Sequence, residues 1–185
     1  MMENEPADFW YHITGGRRAV KNNTADTKLS EYRKKREFET TPEPGGGTEK
    51  TGAERTFVIQ EHDASHLHYD LRLEIDGVLV SWAVPKEPSS DPGKKRLAVR
   101  TEDHPLEYAD FEGTIPEGHY GAGTVTIWDR GTYENRREVN MEDSLSEGKI
   151  EIRLHGRKLK GGYNLIRTKW KGNSENWLLI KSRNG

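Results

Sequence analysis

The sequence predicts an all-β protein, a barrel or sandwich of about eight or nine short strands. Three observations carry that reading. From Arg55 onward, apolar and polar residues alternate with the two-residue period of strands. Glycine-rich turns break the pattern at short intervals, and the longest alternating run ends in a strong hairpin signal.

Taken in order, the chain opens with GGRR at 15–18, the charge run Glu31 to Glu37 and a Pro-Gly cluster from Thr41 to Gly47. So little apolar surface predicts a flexible N-terminal segment over residues 1–52, with a short basic helix within Leu29 to Phe38. Residues 53–185 then form the barrel domain. Its strands are expected at Phe57 to Glu61, His66 to Ile75, Val78 to Val84, Arg96 to Thr101, Thr124 to Trp128, Gly131 to Glu134, Lys149 to Leu154, Gly162 to Arg167 and Trp177 to Lys181. A helical segment, Glu142 to Glu147, interrupts them. In the second strand His66, His68, Asp70, Arg72 and Glu74 face one way, and Leu67, Tyr69, Leu71, Leu73 and Ile75 the other. Asp76-Gly77 turns the chain into its partner, which Pro85 ends. If the polar face lines a barrel mouth, it explains a chain that is 31% hydrophobic and 32% charged, with mean hydropathy −0.99.

Composition excludes several classes. Cysteine is absent, which removes disulfides, thiolate metal sites and cysteine nucleophiles. No apolar run is long enough to span a bilayer and the start lacks the regions of a signal peptide, so a soluble, cytoplasmic protein is expected. A net charge of −2 argues against broad wrapping of nucleic acid but leaves room for a local phosphate pocket.

The chemistry concentrates around His62, His66, His68, Asp70 and Arg72. His68 and Asp70 share a strand face and can reach one ion, and a turn at Asp63 to Ser65 can fold His62 over as a third ligand. Spacing alone does not choose between His62 and His66. Imidazole plus carboxylate suits Mn, Zn, Fe or Co with open positions for water or substrate, and Arg72 can clamp an anionic oxygen beside it. The plain reading is a solvated polar strand face. In the next cluster, Thr101 to Tyr108, His104 can donate a proton to a leaving oxygen and Tyr108 can bond phosphate; alternatively His-Pro is an ordinary turn and Tyr108 packs. Lys86, Arg96 and Arg100 add positive charge. The loop from Phe111 to Gly123 lacks a nucleotide-binding motif and reads as tight turns, with His119 unassigned. Trp82, Trp128, Trp170 and Trp177 read as core, and Arg33 to Arg36 as a solvated helix face or, alternatively, a contact to a nucleic-acid backbone.

These residues together resemble the 3′-phosphoesterase family, known as a domain of bacterial DNA ligase D and as free-standing proteins. The matching stretches are LSEYRKKREFETTPEP at 29–44, FVIQEHDASHLHYDLRLEIDG at 57–77, SWAVPK at 81–86, TEDHPLEYADFEGTIPEGHYGAGTVTIWDRG at 101–131, GKIEIRLHGRKLKGGYNLIRTK at 148–169 and WLLIK at 177–181. The resemblance implies a small antiparallel β-barrel with a polar active-site crescent. It implies an enzyme that trims 3′-terminal ribonucleotides from DNA to a 3′-phosphate and then removes that phosphate, leaving a 3′-hydroxyl for ligation. Its metal ligands fall on His62, His68 and Asp70, with Mn²⁺ the expected ion and Co²⁺ or Zn²⁺ alternatives. Its other essential residues fall on Arg72, Lys86, Arg96, Glu102, His104 and Tyr108. The expected partners are primer-template 3′ ends and, in end joining, a separate ATP-dependent DNA ligase, primase-polymerase and Ku-like protein; the chain is expected to be a monomer, either free-standing or excised from a larger protein. Two competing readings remain: a non-haem Fe(II) oxygenase using His68, Asp70 and a distal His104 or His119, and a non-catalytic DNA-end-binding barrel.

Overall fold

The protein is described here by a computed structural model, which covers residues 24–46, 55–168 and 175–183. Its nine strands are β1 (Arg55–Asp63), β2 (His68–Ile75), β3 (Val78–Val84), β4 (Lys95–Arg100), β5 (Gly113–Ile115), β6 (Gly123–Asn135), β7 (Lys149–Gly156), β8 (Lys160–Arg167) and β9 (Asn176–Lys181). They form one antiparallel sheet in the order β1-β2-β3-β4-β9-β8-β7-β6-β5, and pairing of β6 with β1 closes eight of them into a barrel. β5 is the extra strand, attached where β6 begins. Closure removes the free edges that an open sheet would expose.

Local sequence explains the elements that position the site. Asp76 and Gly77 have φ of 46° and 78°, the left-handed pair that a two-residue hairpin turn needs, and they set Ile75 opposite Val78. From that register Leu73 faces Val80, Leu71 faces Trp82 and Arg72 faces Ser81. On the other side β1 sets Phe57 against Leu73, Ile59 against Leu71, Gln60 against Asp70 and His62 against His68. The apolar set continues around the ring through Ala98, Trp177, Leu179, Leu165, Tyr163, Ile152 and Leu154, all buried in one core. Trp82 and Trp177 meet edge to face at 5.6 Å between ring centroids.

The apolar face of β2 therefore lines the barrel interior. The polar face does not sit at a barrel mouth as expected; it lies on the opposite side of the β1–β2–β3 sheet, beneath residues from elsewhere in the chain. Both faces end up buried, with Leu71 at 1% exposure and Arg72 at 2%.

Two strands expected over 124–134 are a single one. A register shift opposite Ile59 and Gln60 leaves Trp128 as an extra residue in β6. Val125 and Ile127 lie level with His62 and Gln60, whereas Asp129, Gly131 and Tyr133 lie level with Ile59, Phe57 and Arg55. The bulge switches the odd-numbered residues from the site face to the core face, which breaks the alternation without ending the strand.

The helices are short: α1 (Thr24–Lys28), α2 (Ser30–Lys34), a 3₁₀ turn at Leu106–Asp110 and α3 (Met141–Glu147). The Asn140 side chain caps α3 by accepting from the Asp143 N–H at 2.7 Å, and Gly148 ends it in the left-handed conformation. The expected helix over Leu29 to Phe38 is thus present only as α2. Part of the segment expected over 1–52 is among the described residues. Leu29 and Tyr32 are buried in the core, and the Tyr32 hydroxyl donates to the Pro44 carbonyl at 2.6 Å, so residues 29–46 are folded onto the barrel. Residues 1–23, 47–54 and Trp170 lie outside the described residues. Trp128 is only partly buried, edge-on to Tyr69.

Candidate active site

Two neighbouring strands gather the donor atoms. His62 is the last β1 residue paired with β2, and His68 and Asp70 stand on the same face of β2. The ligating atoms of His62, His68 and Asp70 all lie within 4.8 Å of one another. His62 Nδ1 is 3.7 Å from Asp70 Oδ2, and His68 Nε2 is 3.7 Å from Asp70 Oδ1. The remaining nitrogen of each ring is committed to backbone. His62 Nε2–H donates to the Gly121 carbonyl at 2.9 Å, and His68 Nδ1–H donates to the His66 carbonyl at 2.9 Å. A carbonyl can only accept, so these two nitrogens carry protons, and the other nitrogen of each ring, Nδ1 of His62 and Nε2 of His68, faces Asp70. That outer-shell arrangement is how ligating histidines are held, and the trio fits a divalent metal. Of the two histidines that spacing left open, His62 stands in the trio, while His66 contributes its carbonyl and has an exposed side chain.

Beside the trio lies a layer of buried cations. Arg72 Nε donates to Gln60 Oε1 at 2.7 Å, Nη1 to Ser81 Oγ at 2.9 Å and Nη2 to Asp70 Oδ2 at 3.0 Å. Its guanidinium lies over the Tyr108 ring at 4.7 Å. Burial alone would raise the Asp70 carboxyl, but Arg72 and the two imidazoles outweigh it and hold the group below the usual carboxylate range.

His104 sits between two guanidiniums. Its Nδ1–H donates to the Glu102 carbonyl at 3.0 Å, with Arg72 Nη1 also 3.0 Å from Nδ1, and Nε2 accepts from Arg36 Nη2 at 3.4 Å. Burial first, then Arg72 and Arg36, hold this imidazole well below its ordinary value, so it is neutral. Tyr108 donates its hydroxyl to Glu43 Oε1 at 3.0 Å, and burial pushes its phenol up, so it remains a proton donor. Glu102 accepts from Lys35 at 3.2 Å and Arg36 at 3.3 Å. Burial raises its carboxyl, but its own backbone N–H, Arg36 and Lys35 bring it below the ordinary range.

The site therefore contains residues that sequence reasoning missed. Arg36, read as part of a solvated helix face, is buried and ion-paired to Glu43 at 2.8 Å. It stacks on Tyr32 at 3.9 Å and reaches His104. Glu43 in turn receives the Tyr108 hydroxyl. The signal lay in the LSEYRKKREFETTPEP stretch, which contains both residues.

A cavity of about 270 Å³ is lined by Arg36, His62, His68, Asp70, Arg72 and His104, with Glu102, Tyr108 and Tyr120 among its other walls. Lys86 and Arg96 are not in that lining: Lys86 is exposed beyond β3, and Arg96 donates to the Glu87 carbonyl at 2.7 Å. Among the described residues, neither His104 nor His119 joins the donor trio, so the alternative triad of His68, Asp70 and a distal histidine is not assembled. A larger cavity of about 480 Å³ abuts the site through Thr101 and Glu102; its Lys28, Arg100 and Arg167 stand among Glu31, Asp103 and Glu175, a mixed-charge lining without a donor set.

The antiparallel barrel thus carries two imidazoles and a carboxylate that fit a divalent metal, beside paired guanidiniums. The profile of the DNA ligase D 3′-phosphoesterase domain matches residues 60–167, and the chain belongs to that family. It is 52% identical over 160 residues to the multifunctional non-homologous end joining protein LigD of Pseudomonas aeruginosa, covering 85% of this chain and 19% of that protein. It is 49% identical over 158 residues to the multifunctional non-homologous end joining DNA repair protein LigD of Mycobacterium tuberculosis, covering 85% and 20%. The corresponding protein of Mycolicibacterium smegmatis is 52% identical over 157 residues, covering 82% and 20%. The chain thus spans about a fifth of the length of these relatives. Among the described residues, no helix is long and apolar enough to cross a membrane.

Proposed function

We propose that this domain is a metal-dependent 3′-end-healing enzyme, removing 3′-terminal ribonucleotides and 3′-phosphates from DNA to leave a 3′-hydroxyl. The observation that carries this reading is the joining of a two-imidazole, one-carboxylate donor set to buried guanidiniums in one cavity, within a 3′-phosphoesterase family member. His62, His68 and Asp70 hold the ion, with Mn²⁺ favoured over Co²⁺ or Zn²⁺. When bound, such an ion supplies Lewis-acid polarisation of the phosphoryl group and lowers the pKa of water.

The chain's own groups do the remaining work. Arg72 keeps an Nη2–H for a phosphate oxygen, and Arg36 faces the same space, so the two neutralise charge that spreads over the equatorial oxygens. Tyr108 supplies a phenolic proton donor that does not ionise at neutral pH. His104 Nε2 is unprotonated in the free protein. A bound phosphate offsets the adjacent guanidinium charges and moves that imidazole back toward protonation, where it can serve the leaving oxygen. Without cysteine, no thiol intermediate is available. The relatives' names place them in non-homologous end joining, and we place this domain in the same setting, acting on primer-template ends with an ATP-dependent ligase, a primase-polymerase and a Ku-like protein.

The test is to incubate primer-templates ending in one 3′-ribonucleotide or a 3′-phosphate with protein and Mn²⁺ or EDTA, and to resolve the products by length and end group. A 3′-hydroxyl product formed only with metal is expected. Binding of the end without any product, with or without Mn²⁺, Co²⁺ or Zn²⁺, would leave the non-catalytic barrel as the better description.

A further inference from the structure

The loop between β5 and β6 holds His62 through the Gly121 carbonyl, and its side chains, which have no role in the reading above, help to frame the cavity. Its turns are closed by His119 N–H donating to the Pro116 carbonyl at 3.3 Å and Ala122 N–H to the His119 carbonyl at 3.2 Å. Its end is pinned to the end of β1, beside the donor His62. Gly123 has φ of +142°, and a Cβ there would stand 2.4 Å from the Asp63 carbonyl oxygen, so the approach admits only glycine. Two residues earlier, the Gly121 carbonyl receives His62 Nε2–H. Immediately before these anchors the chain holds Tyr120 on the lip of the cavity.

Tyr120 is unusual in its surroundings. Of the large apolar side chains exposed among the described residues, Leu67, Leu97, Tyr120 and Ile166, only Tyr120 lines this cavity, with 48% of its surface exposed. The ring is not loose. Its hydroxyl donates to Glu102 Oε2 at 3.4 Å and accepts from Lys35 Nζ at 3.3 Å, while Lys35 Nζ lies 4.5 Å from the ring centroid. A ring fixed at its tip and at its backbone has little rotamer freedom left to lose when a flat ligand covers it. The other aromatic rings near the cations, Tyr32 and Tyr108, are buried and offer no face to a ligand. The cavity walls are charged and suit a phosphate and its sugar, so a base carried by that sugar emerges at the lip.

We propose that Tyr120 is the stacking platform for the nucleobase of the terminal nucleotide whose phosphoester occupies the cavity, an inference that rests on the end-healing reading above. Stacking on an aromatic face tolerates every base, which suits an enzyme that must accept ends of any sequence. The adjacent Lys35 adds a cation beside the strand that carries the base.

The experiment uses a primer-template whose 3′-terminal ribonucleotide carries 2-aminopurine, and a matched end with an abasic terminal ribose. On binding, wild type quenches the 2-aminopurine; Tyr120→Trp and Tyr120→Phe keep the quench, and Tyr120→Ala loses it. The ratio of kcat/KM for base-bearing over abasic ends falls about tenfold in Tyr120→Ala, through KM, the scale of losing one base–aromatic stack, and holds in Tyr120→Phe. Tyr120→Phe deletes the hydroxyl bond to Glu102 and keeps the ring. If Phe and Ala lose activity alike on both ends, Tyr120 positions Glu102 and the platform is overturned; an undiminished quench in Tyr120→Ala overturns it equally. If wild type forms no product from any end while the quench still depends on Tyr120, the end-healing reading fails and the platform stands as part of an end-binding surface.

Discussion

Leu71 and Arg72 are neighbours in one strand, equally buried and held by opposite physics. On the core face, Leu71 lies between Ile59 and Trp82, contacts that are non-directional and graded with area. On the site face, Arg72 is fixed by directed bonds to Gln60, Ser81 and Asp70, and its environment is assembled from segments far apart in the chain. The lesson is that one face can lose volume and keep its design, whereas removing one partner from the other leaves buried charges unpaired.

Substitutions can break that contrast in order of size. The largest effect is expected for His68→Ala, which removes a donor without touching the core: turnover should fall to the level of the EDTA control while the circular dichroism spectrum is retained. Arg72→Met comes next. It keeps the stem but strands Asp70, Gln60 and Ser81, so turnover should be lost together with about 3–5 kcal/mol of stability, measured by urea unfolding of the metal-free protein. Leu71→Ala should cost a similar 2–5 kcal/mol, roughly the price of a core cavity, yet keep kcat per folded molecule. Equal kcat losses in the Leu71 and Arg72 variants would contradict the division between the faces. Glu43→Gln removes the charge that pairs with Arg36 and receives the Tyr108 hydroxyl, and should cost about 1.5–3 kcal/mol.

The smallest expected effect is a pH dependence. The folded His104 imidazole is held well below 6.5, so between that value and its folded pKa the unfolded chain binds a proton that the folded chain does not. The stability contributed by neutral His104 is therefore complete above about pH 6.5 and lost as pH falls through the folded pKa. Urea unfolding in EDTA between about pH 7.5 and 5.5 should show a steeper decline for wild type than for His104→Asn. Parallel declines would contradict the placement of His104 between the two guanidiniums.

The same contrast explains what could be read from the sequence. The core face was legible because alternation is a local signal: the β2 pattern and the Asp76-Gly77 turn together locate the first hairpin. β5 escaped because a three-residue strand in a glycine-rich loop has no period to detect, and β6 was divided because its bulge reverses the alternation. On the site face, motif order identified residues around the donor trio but not the fate of the N-terminal charges. Arg36 and Glu43 look like solvent-facing residues in a polar run, and only the folded chain shows them neutralising each other against Tyr108 and His104. Lys86 and Arg96 show the converse, since the family resemblance assigns them roles while the structure places them outside the cavity lining.

The central claim is that the polar face is built around a metal held by His62, His68 and Asp70. Its most direct test is calorimetric titration of Mn²⁺ into metal-free wild type and Asp70→Asn, a substitution that keeps shape and removes the charge. One ion per wild-type chain, with binding lost or severely weakened in the variant, is the predicted result. Undiminished affinity and stoichiometry in Asp70→Asn would contradict it.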